Sequence, residues 1–480
     1  MRNQFIIATC FGRLVLIVFI LSFANFLFAQ TGEKVKDNWQ NLDLKTDSVF
    51  GISMEKTYNE LLKGKNATTV VVAVIDGGVD ITHEDLNSVI WTNPNEIPAN
   101  GKDDDKNGFI DDLHGWNFYS TVVKEDEKTE IILINNKLKL VKADQIILNR
   151  ILQRIGKTAP VIEDFKNYIP ISKDEFKMQT TLVSGLKNYP EFVTYKKIAL
   201  KRAVNYYNMQ LAYYEKHDFD LSTGGPFSYH GTHISGIIAA VRDNNIGIKG
   251  VADHVQIMVL RAVPGLDPVS EGTDQVAVSQ QGSVNLEEKT KAIADAIRYA
   301  ADNGAKVINM SFGQPWAKMS VKVNEAIQYA INKDVLIVHA SGNEGQDLDQ
   351  MSIYPDRKTT EGRAIASCWI EVGASGWKND EKLAGIFSNY GKNSVDVYAP
   401  GIEITSTAPR STYLDDTGTS MAAPVVAGLA AVIREYCPKL TAAQVKVLIM
   451  KSIAEVQVLK NKCISGGVIN AYKAFKMAKF

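Results

Sequence analysis

Cysteine is scarce in this chain of 480 residues, which has only four. Cys10 lies in the first thirty residues, so Cys368, Cys437 and Cys463 leave room for a single disulfide at most. None of these three sits in a glycine-rich or histidine-bearing motif, so a catalytic thiol is not expected. The fold is therefore expected to depend on its hydrophobic core rather than on covalent cross-links.

The chain also lacks an excess of charge of either sign. Lysine and arginine total 53 against 54 aspartates and glutamates, which gives a formal net charge of −1. Because such a balance provides no general attraction to nucleic acid or anionic lipid, neither partner is expected. A composition of 45% hydrophobic and 22% charged residues is that of an ordinary globular protein, which excludes the disordered, collagen-like and polytopic membrane classes.

One long apolar run lies near the start of the chain. Arg2 and Arg13 precede the run 14–28, and the small residue Ala29 follows it. This layout is typical of a secretory signal peptide, so residues 1–29 are predicted to be cleaved and the protein to be periplasmic or extracellular, without stable membrane insertion. An uncleaved anchor helix is the alternative, although the run falls short of the roughly twenty residues that a membrane-spanning helix needs.

Glycine is nearly missing from one long stretch. Residues 117–222 contain only Gly156 and Gly185, although the whole chain has 34 glycines. The same stretch carries long charged patterns that are typical of helices. We therefore predict that 117–222 is a helical insertion.

Elsewhere, short β-branched runs alternate with amphipathic or small-residue stretches. The runs predicted to be buried strands are 70–75, 257–263, 306–310, 335–340 and 370–374. The main stretches predicted to be helices are 287–303, 320–332 and 422–436. This alternation predicts an α/β fold with a mostly parallel central sheet covered on both faces. In such folds ligands bind beyond the carboxyl ends of the strands.

Four polar side chains stand beside predicted strand or helix ends. Asp76 follows the first strand, His230 and Asn343 lie in glycine-containing motifs, and Ser420 is expected at a helix start with Pro424 in the first turn. Each alone has a structural explanation, such as a turn, a packed histidine or an N-cap serine. Together they supply the carboxylate, imidazole, amide and hydroxyl that nucleophilic catalysis uses.

A metal centre is the rival interpretation of the histidine motif. His230 and His233 are three residues apart, with a short apolar helix expected at 237–241. The zinc-binding helix of metalloproteases needs a spacing of four and an intervening glutamate, and this motif has neither. A metallohydrolase therefore stays an alternative that chelation would reveal.

The chain resembles the subtilisin-like serine proteases, or subtilases. The resemblance rests on the sequences VIDGGVDITHEDL, HGTHISG, NMSFG, SGNEG and GTSMAAP. It implies an α/β, subtilisin-like three-layer fold with a catalytic domain at 30–116 and 223–480. The insertion at 117–222 would then separate the catalytic acid from the base, either bordering the cleft and restricting access or serving as a partner-binding or merely decorative hairpin.

The resemblance also implies individual roles. Ser420 would be the nucleophile, His230 its general base, and Asp76 the residue that fixes the imidazole tautomer. Asn343, with the Ser420 N–H, would form the oxyanion hole, and His233 would be structural. The residues expected to line the substrate pocket are Ser311, Phe312, Gly313, Ala340, Ser341 and Gly342. The small residues among them suggest an open cleft that accepts large apolar side chains.

The implied function is that of a secreted serine endopeptidase that cleaves polypeptides through an acyl-enzyme and acts as a monomer. A non-catalytic binding protein on the same scaffold is the main rival. No cofactor is expected for the chemistry, but structural calcium is. The acidic-loop residues with the alternating oxygen donors of a calcium loop are Asp103, Asp105 and Asn107. A solvated acidic turn is the alternative there, and a second site would use Asp85 with the loop 241–248.

Overall fold

The computed structural model describes residues 35–119, 127–157, 160–188, 192–216, 228–263, 286–313, 321–357 and 366–478. The predicted signal peptide, residues 1–29, lies outside these ranges. The described residues divide into two compact units. One contains the helices between residues 127 and 216, and the other contains the remaining described ranges.

The second unit is built on a mostly parallel sheet. The strands, in chain order, are β1 (Val70–Asp76), β2 (Gly115–Asn117), β3 (Val255–Arg261), β4 (Val307–Met310), β5 (Leu336–Ala340), β6 (Trp369–Ser375), β7 (Val397–Pro400), β8 (Ile404–Ala408), β9 (Thr412–Asp416), β10 (Ala454–Glu455) and β11 (Gly467–Val468). Nine of these described strands form one sheet in the order β10-β11-β7-β6-β5-β4-β1-β3-β2. Its pairs are parallel except β10 with β11, and β8 and β9 form a separate antiparallel hairpin.

The central strands are apolar at nearly every position. In β4, β5, β6 and β7 every residue is buried. Because the sheet is covered on both faces, side chains on either face are kept from water. The strands are therefore continuous runs of apolar residues instead of alternating apolar and polar residues. The five predicted strands therefore coincide with β1, β3, β4, β5 and β6 to within about two residues at each end.

The helices, in chain order, are α1 (Leu44–Asp47), α2 (Met54–Thr57), α3 (Glu127–Ile155), α4 (Ile162–Lys166), α5 (Lys173–Asn188), α6 (Phe192–Lys216), α7 (Tyr229–Ala239), α8 (Leu286–Asp302), α9 (Val321–Asn332), α10 (Thr419–Tyr436), α11 (Ala442–Lys451) and α12 (Ala471–Ala478). Helices α8 and α9 pack with one face of the sheet in a single apolar cluster. Helix α10 contacts β4 to β7 and also α7, and neither of these two helices belongs to that cluster. The unit thus has three layers: α8 and α9, the sheet, and α7 with α10.

Two expectations about helix starts were wrong. Helix α7 begins at Tyr229, so it already includes His230, whereas the sequence suggested a helix from 237. Helix α10 begins at Thr419, so Pro424 is an interior residue rather than part of the first turn. In both places small residues without an obvious cap precede the apolar run, and the helix extends further towards the N-terminus than its apolar pattern indicates.

The helical unit has its own core. Helix α3 packs against α5 and α6, and α4 packs against α5. Its fully buried side chains include Leu148, Ile151, Phe165 and Leu182. Within the described ranges, no helix of either unit combines the length and apolar character needed to cross a membrane.

Candidate active site

The structure brings Asp76 and His230 together. Asp76 ends β1, and the His230 Nδ1–H donates to its Oδ2 at 2.8 Å and lies 3.0 Å from its Oδ1. The Gly77 N–H also donates to Oδ1 at 2.7 Å. Both side chains are buried, with His230 5% and Asp76 2% exposed. Because Nδ1 is the donor, the lone pair that can accept a proton is on Nε2 when the ring is neutral.

Gly231 explains how α7 reaches the end of β1. A Cβ at this position would lie 2.1 Å from the Gly78 carbonyl oxygen and 3.2 Å from the Asp76 Cβ. Any larger residue would therefore push α7 away from the loop that follows the strand. The glycine after His230 allows the close backbone approach on which the histidine–carboxylate contact depends.

His233 lies one helical turn after His230 and has a different role. It is fully buried, and its Nε2 lies 3.0 Å from the Leu414 carbonyl oxygen, to which it donates. The one group of three close acidic, histidine or cysteine ligands that occurs among the described residues includes neither histidine. This arrangement gives no support to the metallohydrolase alternative.

Ser420 is the second residue of α10 and is 9% exposed. It exchanges two hydrogen bonds with Ser311, which follows β4. The Ser420 hydroxyl donates to the Ser311 carbonyl at 3.1 Å, and the Ser311 hydroxyl donates to the Ser420 carbonyl at 3.0 Å. As a residue of the first helical turn, Ser420 has a backbone N–H without a carbonyl partner inside the helix, so this N–H can bind an anion.

Asn343 lies beside the same helix start. Its Oδ1 accepts hydrogen bonds from the backbone N–H of Thr419 at 2.9 Å and from the Thr419 hydroxyl at 3.0 Å. Since the oxygen is held by two donors next to Ser420, the Nδ2 group of the amide remains for a ligand. Thr419 was part of a quoted motif, but nothing in that motif indicated that it orients the amide.

Asn389 fixes the loop that carries Asn343, and sequence reasoning missed it. This buried side chain donates to the Ser341 carbonyl at 2.8 Å, and its Oδ1 accepts from the N–H groups of Glu344 and Gln346 at 3.2 and 2.7 Å. The sequence Ser-Asn-Tyr-Gly around it could not be distinguished from an ordinary turn. The contact joins positions that are far apart in sequence.

The two predicted pocket segments face a common side chain. A Cβ on Gly313 would lie 2.3 Å from Ile353 Cγ2, and a Cβ on Gly342 would lie 2.5 Å from Ile353 Cδ1. Ile353 therefore packs directly against both glycines. The side chain of Ile353 thus connects the segment 311–313 with the segment 340–342.

Comparison with known proteins agrees with this geometry. The sequence model of the subtilase family matches residues 67–466. The chain belongs to the subtilase family. This result confirms the resemblance seen in the motifs and the predicted α/β fold class.

The curated relatives are proteases. This subtilase is 40% identical over 204 residues to thermitase of Thermoactinomyces vulgaris, a match that covers 42% of this chain and 60% of thermitase. It is 33% identical over 243 residues to subtilisin Savinase of Lederbergia lenta, covering 51% of this chain and 73% of that protein. It is also 40% identical over 204 residues to the thermophilic serine proteinase of Bacillus sp. (strain AK1), and this match covers 42% of each chain. The chain thus spans about half the length of several curated relatives it matches.

A solved structure supports the fold alone. A protease chain from Pseudoalteromonas arctica superimposes with a TM-score of 0.50 at 19% identity. The superposition covers 92% of this subtilase and 98% of that chain.

An acidic cluster of this subtilase contains one of the predicted calcium ligands. Oxygen atoms of Glu96, Asp105 and Asp112 lie within 4.8 Å of one another. Burial raises the pKa of Asp112, the nearby Asp105 carboxylate adds to the shift, and hydrogen bonds from Tyr299 and Asn107 oppose it. Glu96 was missed because it precedes the acidic loop, and only the folded chain brings it to the other two carboxylates.

The other predicted metal residues have different contacts. Asn107 points its Nδ2 at Asp105 and Asp112, at 3.1 and 2.9 Å, so in this arrangement it donates to the cluster. Asp103 accepts from the N–H groups of Asn107 and Gly108 and so fixes the turn.

Asp85 contacts the loop 241–248, as expected. Its Oδ1 accepts from Asn244 Nδ2 at 2.7 Å and its Oδ2 from the Ile248 N–H at 3.1 Å. Burial raises the pKa of Asp85 although these hydrogen bonds oppose the shift. Asp85 offers a single carboxylate here, whereas the cluster brings three carboxylates together, which makes Asp85 the weaker candidate for a cation.

Proposed function

We propose that this subtilase is an exported serine endopeptidase that hydrolyses peptide bonds through an acyl-enzyme on Ser420. The observation that carries the proposal is the 2.8 Å hydrogen bond from His230 Nδ1 to Asp76. It fixes the tautomer whose Nε2 can remove a proton, and the buried carboxylate stabilises the imidazolium that forms.

The first chemical step begins with the serine hydroxyl. To react, Ser420 Oγ must release the Ser311 carbonyl and donate to His230 Nε2. Oγ then attacks the substrate carbonyl carbon as its proton passes to Nε2. His230 returns this proton to the leaving amine, and a water molecule activated by the same ring hydrolyses the acyl-enzyme.

The charge that develops on the substrate oxygen needs donors fixed in advance. Asn343 Nδ2 and the Ser420 N–H are both available, and two hydrogen bonds from Thr419 hold the asparagine amide by its oxygen. Donors that do not have to reorganise stabilise the oxyanion more than water does.

The substrate class follows from Ile353. Because it packs against both Gly313 and Gly342, Ile353 would make the pocket for the side chain before the scissile bond shallow. We infer a preference for glycine or alanine at that position, in place of the large apolar residues that the sequence suggested.

Structural calcium is the remaining part of the proposal. Glu96, Asp105 and Asp112 offer the hard oxygen ligands that Ca²⁺ prefers, and a cation would relieve the repulsion between their carboxylates. Calcium would brace the loop that precedes β2 and supply no chemistry to the reaction.

The domain plan is likewise a proposal. Residues 1–29 would be a cleaved signal, and residues 30–119 and 223–480 would form the catalytic domain. The helical insertion, expected at 117–222, would begin after residue 119, because Asn117 ends β2 and residues 117–119 belong to the sheet-containing unit. Sequencing the amino terminus of the protein recovered from outside the cytoplasm tests the cleavage.

Active-site labelling with a fluorophosphonate tests the proposed chemistry. We expect covalent modification of the folded protein that is lost in Ser420→Ala and unaffected by chelation during the labelling reaction. Folded protein that does not react would favour a binding protein on the same scaffold. Peptide cleavage that survives Ser420→Ala but not chelation would favour the metallohydrolase.

A further inference from the structure

A further buried histidine, His339, lies under the segment predicted to bind substrate. His339 belongs to β5 and is fully buried. In the sheet it is paired with Met310 of β4 on one side and with Glu371 of β6 on the other. Its ring also lies 5.1 Å from that of Trp369. None of the roles described above uses this residue.

The ring connects two strands through both nitrogens. Nδ1 lies 2.8 Å from Glu371 Oε1, and Nε2 lies 2.8 Å from the Phe312 carbonyl oxygen. A carbonyl and a carboxylate are both acceptors, so each contact needs a proton. Trp369 Nε1 donates to the other oxygen of Glu371 at 2.8 Å, which leaves Oε1 to His339. The pair of His339 and Glu371 therefore holds one proton more than a neutral histidine beside an ionised glutamate would.

The surrounding charges favour this extra proton. Burial by itself lowers the pKa of His339, but the Glu371 carboxylate and the Phe312 carbonyl outweigh it, so the pKa is raised above its usual value. Asp356 acts in the same direction. The charged groups beyond Glu371 are Asp396, whose carboxylate accepts the Glu371 N–H, and its partners Lys446 and Arg357.

Phe312, whose carbonyl contacts His339, is adjacent in sequence to Ser311. Phe312 follows Ser311, which exchanges two hydrogen bonds with Ser420. Gly313 follows in turn, and a Cβ there would be 3.7 Å from His339 Cε1. The segment 311–313 lies beyond the end of β4. The Phe312 carbonyl therefore receives its hydrogen bond from the His339 side chain rather than from the backbone of a neighbouring strand.

We propose that His339, kept doubly protonated by Glu371, is the positioning residue of the segment 311–313 and, through Ser311, of the Ser420 hydroxyl. The proposal rests on the proposed function, because it assigns a role within that reaction. Loss of the shared proton at alkaline pH removes the donor to Phe312 and loosens the segment, while the catalytic groups themselves remain intact.

Three variants separate positioning from stability. His339→Phe keeps an aromatic ring but removes both donors, and His339→Gln keeps a neutral amide donor within reach of Phe312. Val338→Ala is the matched control, because Val338 is fully buried in the same strand and its side chain points to the opposite face. A displaced catalytic segment costs roughly ten- to a hundred-fold in rate.

With peptide p-nitroanilides we expect His339→Phe to lower kcat/KM by about that factor. His339→Gln should restore most of it and move the alkaline limb of the pH profile to higher pH, since an amide does not titrate. Val338→Ala should lose stability but keep the wild-type profile. If His339→Phe matches Val338→Ala in kcat/KM and profile, the histidine is only structural.

A second measurement does not depend on activity. Nitrogen-15 NMR of the folded full chain labelled at histidine, with His339→Gln to assign the ring, should show two protonated nitrogens at about pH 7. A neutral His339 ring with a single N–H would overturn the proposal even in an active enzyme. Wild-type protein that neither cleaves peptides nor labels at Ser420 would instead refute the proposed function, and the ring measurement would still decide the protonation of His339.

Discussion

Pro424 stands four residues after Ser420 in α10, and it determines what the Ser420 carbonyl contacts. In a regular helix the N–H of residue 424 would donate to the carbonyl of residue 420, but proline has no N–H. The Ser311 hydroxyl donates to that carbonyl instead, at 3.0 Å. A missing helical hydrogen bond thus creates the connection between α10 and the segment that follows β4.

This relationship predicts coupled effects of two substitutions. Ser311→Ala leaves a buried carbonyl without a donor, so we expect a loss of about 1–3 kcal/mol in the free energy of unfolding. Pro424→Ala supplies the helical N–H, so Ser311→Ala in that background should cost less. The remaining loss would come from Asn309, whose Nδ2 donates to the Ser311 hydroxyl at 3.0 Å and loses that acceptor in both backgrounds. Denaturant unfolding of the four proteins measures the coupling, and strictly additive losses would contradict it.

Removing the asparagine amide tests the oxyanion hole. Asn343→Ala should lower kcat by about 10²- to 10³-fold with little change in KM, because the donor acts mainly in the transition state. Steady-state kinetics on a short peptide ester measures this. Asn393→Ala, at an exposed position of another loop, is the control and should behave like the wild type. A kcat for Asn343→Ala equal to that of the wild type would show that this side chain does not stabilise the oxyanion.

Widening the pocket should change the substrate preference. Ile353→Ala removes the side chain that faces Gly313 and Gly342, so we expect kcat/KM to rise for peptides with leucine or phenylalanine before the scissile bond, relative to alanine. One or two apolar carbons of pocket space typically change such a ratio by about 10- to 200-fold. Leu348→Ala, in the same apolar cluster, controls for the cavity itself. Unchanged selectivity would exclude Ile353 as the limit of the pocket.

Glu435 should make the protein less stable as the pH rises. This residue near the end of α10 is fully buried. Burial raises its pKa well above the ordinary value of 4.5, the charge of Asp253 adds to the shift, and Arg242 opposes it. The native state therefore keeps a proton that the unfolded chain releases. This contribution to stability is complete below pH 4.5 and falls as the pH rises through the native pKa.

Glu435→Gln removes that dependence because the amide is always neutral. The stability of the variant relative to wild type should increase with pH above 4.5, by up to about 1.4 kcal/mol per pH unit. Urea unfolding between about pH 5 and 9 measures the difference. Glu381→Gln, at an exposed loop position, is the control. A constant difference across this range would show that Glu435 does not carry the proton.

Calcium should stabilise the fold through the acidic cluster. We expect added Ca²⁺ to raise Tm and a chelator to lower it, because binding to the native state adds to the free energy of unfolding. Asp112→Asn should abolish most of this response. Asp103→Asn should lower the starting Tm, since Asp103 fixes the turn, but keep the calcium-dependent increase. A wild-type Tm that does not respond to Ca²⁺ would contradict the site.

The motif residues were predictable because their chemistry is local. The strand before Asp76, the helix around Ser420 and the glycines beside His230 and Asn343 each leave a signature within a few residues. Glu96, Ile353 and His339 leave none, since an acid before a loop, an isoleucine before Tyr-Pro and a histidine in an apolar strand are ordinary features by themselves. Their importance arises from contacts with Asp112, Gly342 and Phe312.

The sequence alone determined the fold class and the family of this protein, because strand periodicity and short motifs are written along the chain. Only the tertiary structure decided what surrounds those motifs: that Ser420 contacts Ser311, that Thr419 orients Asn343, and that Ile353 packs against the pocket glycines. These contacts join residues from different strands and loops. Their geometry depends on how the β-sheet and its helices pack, which no local pattern of residues records.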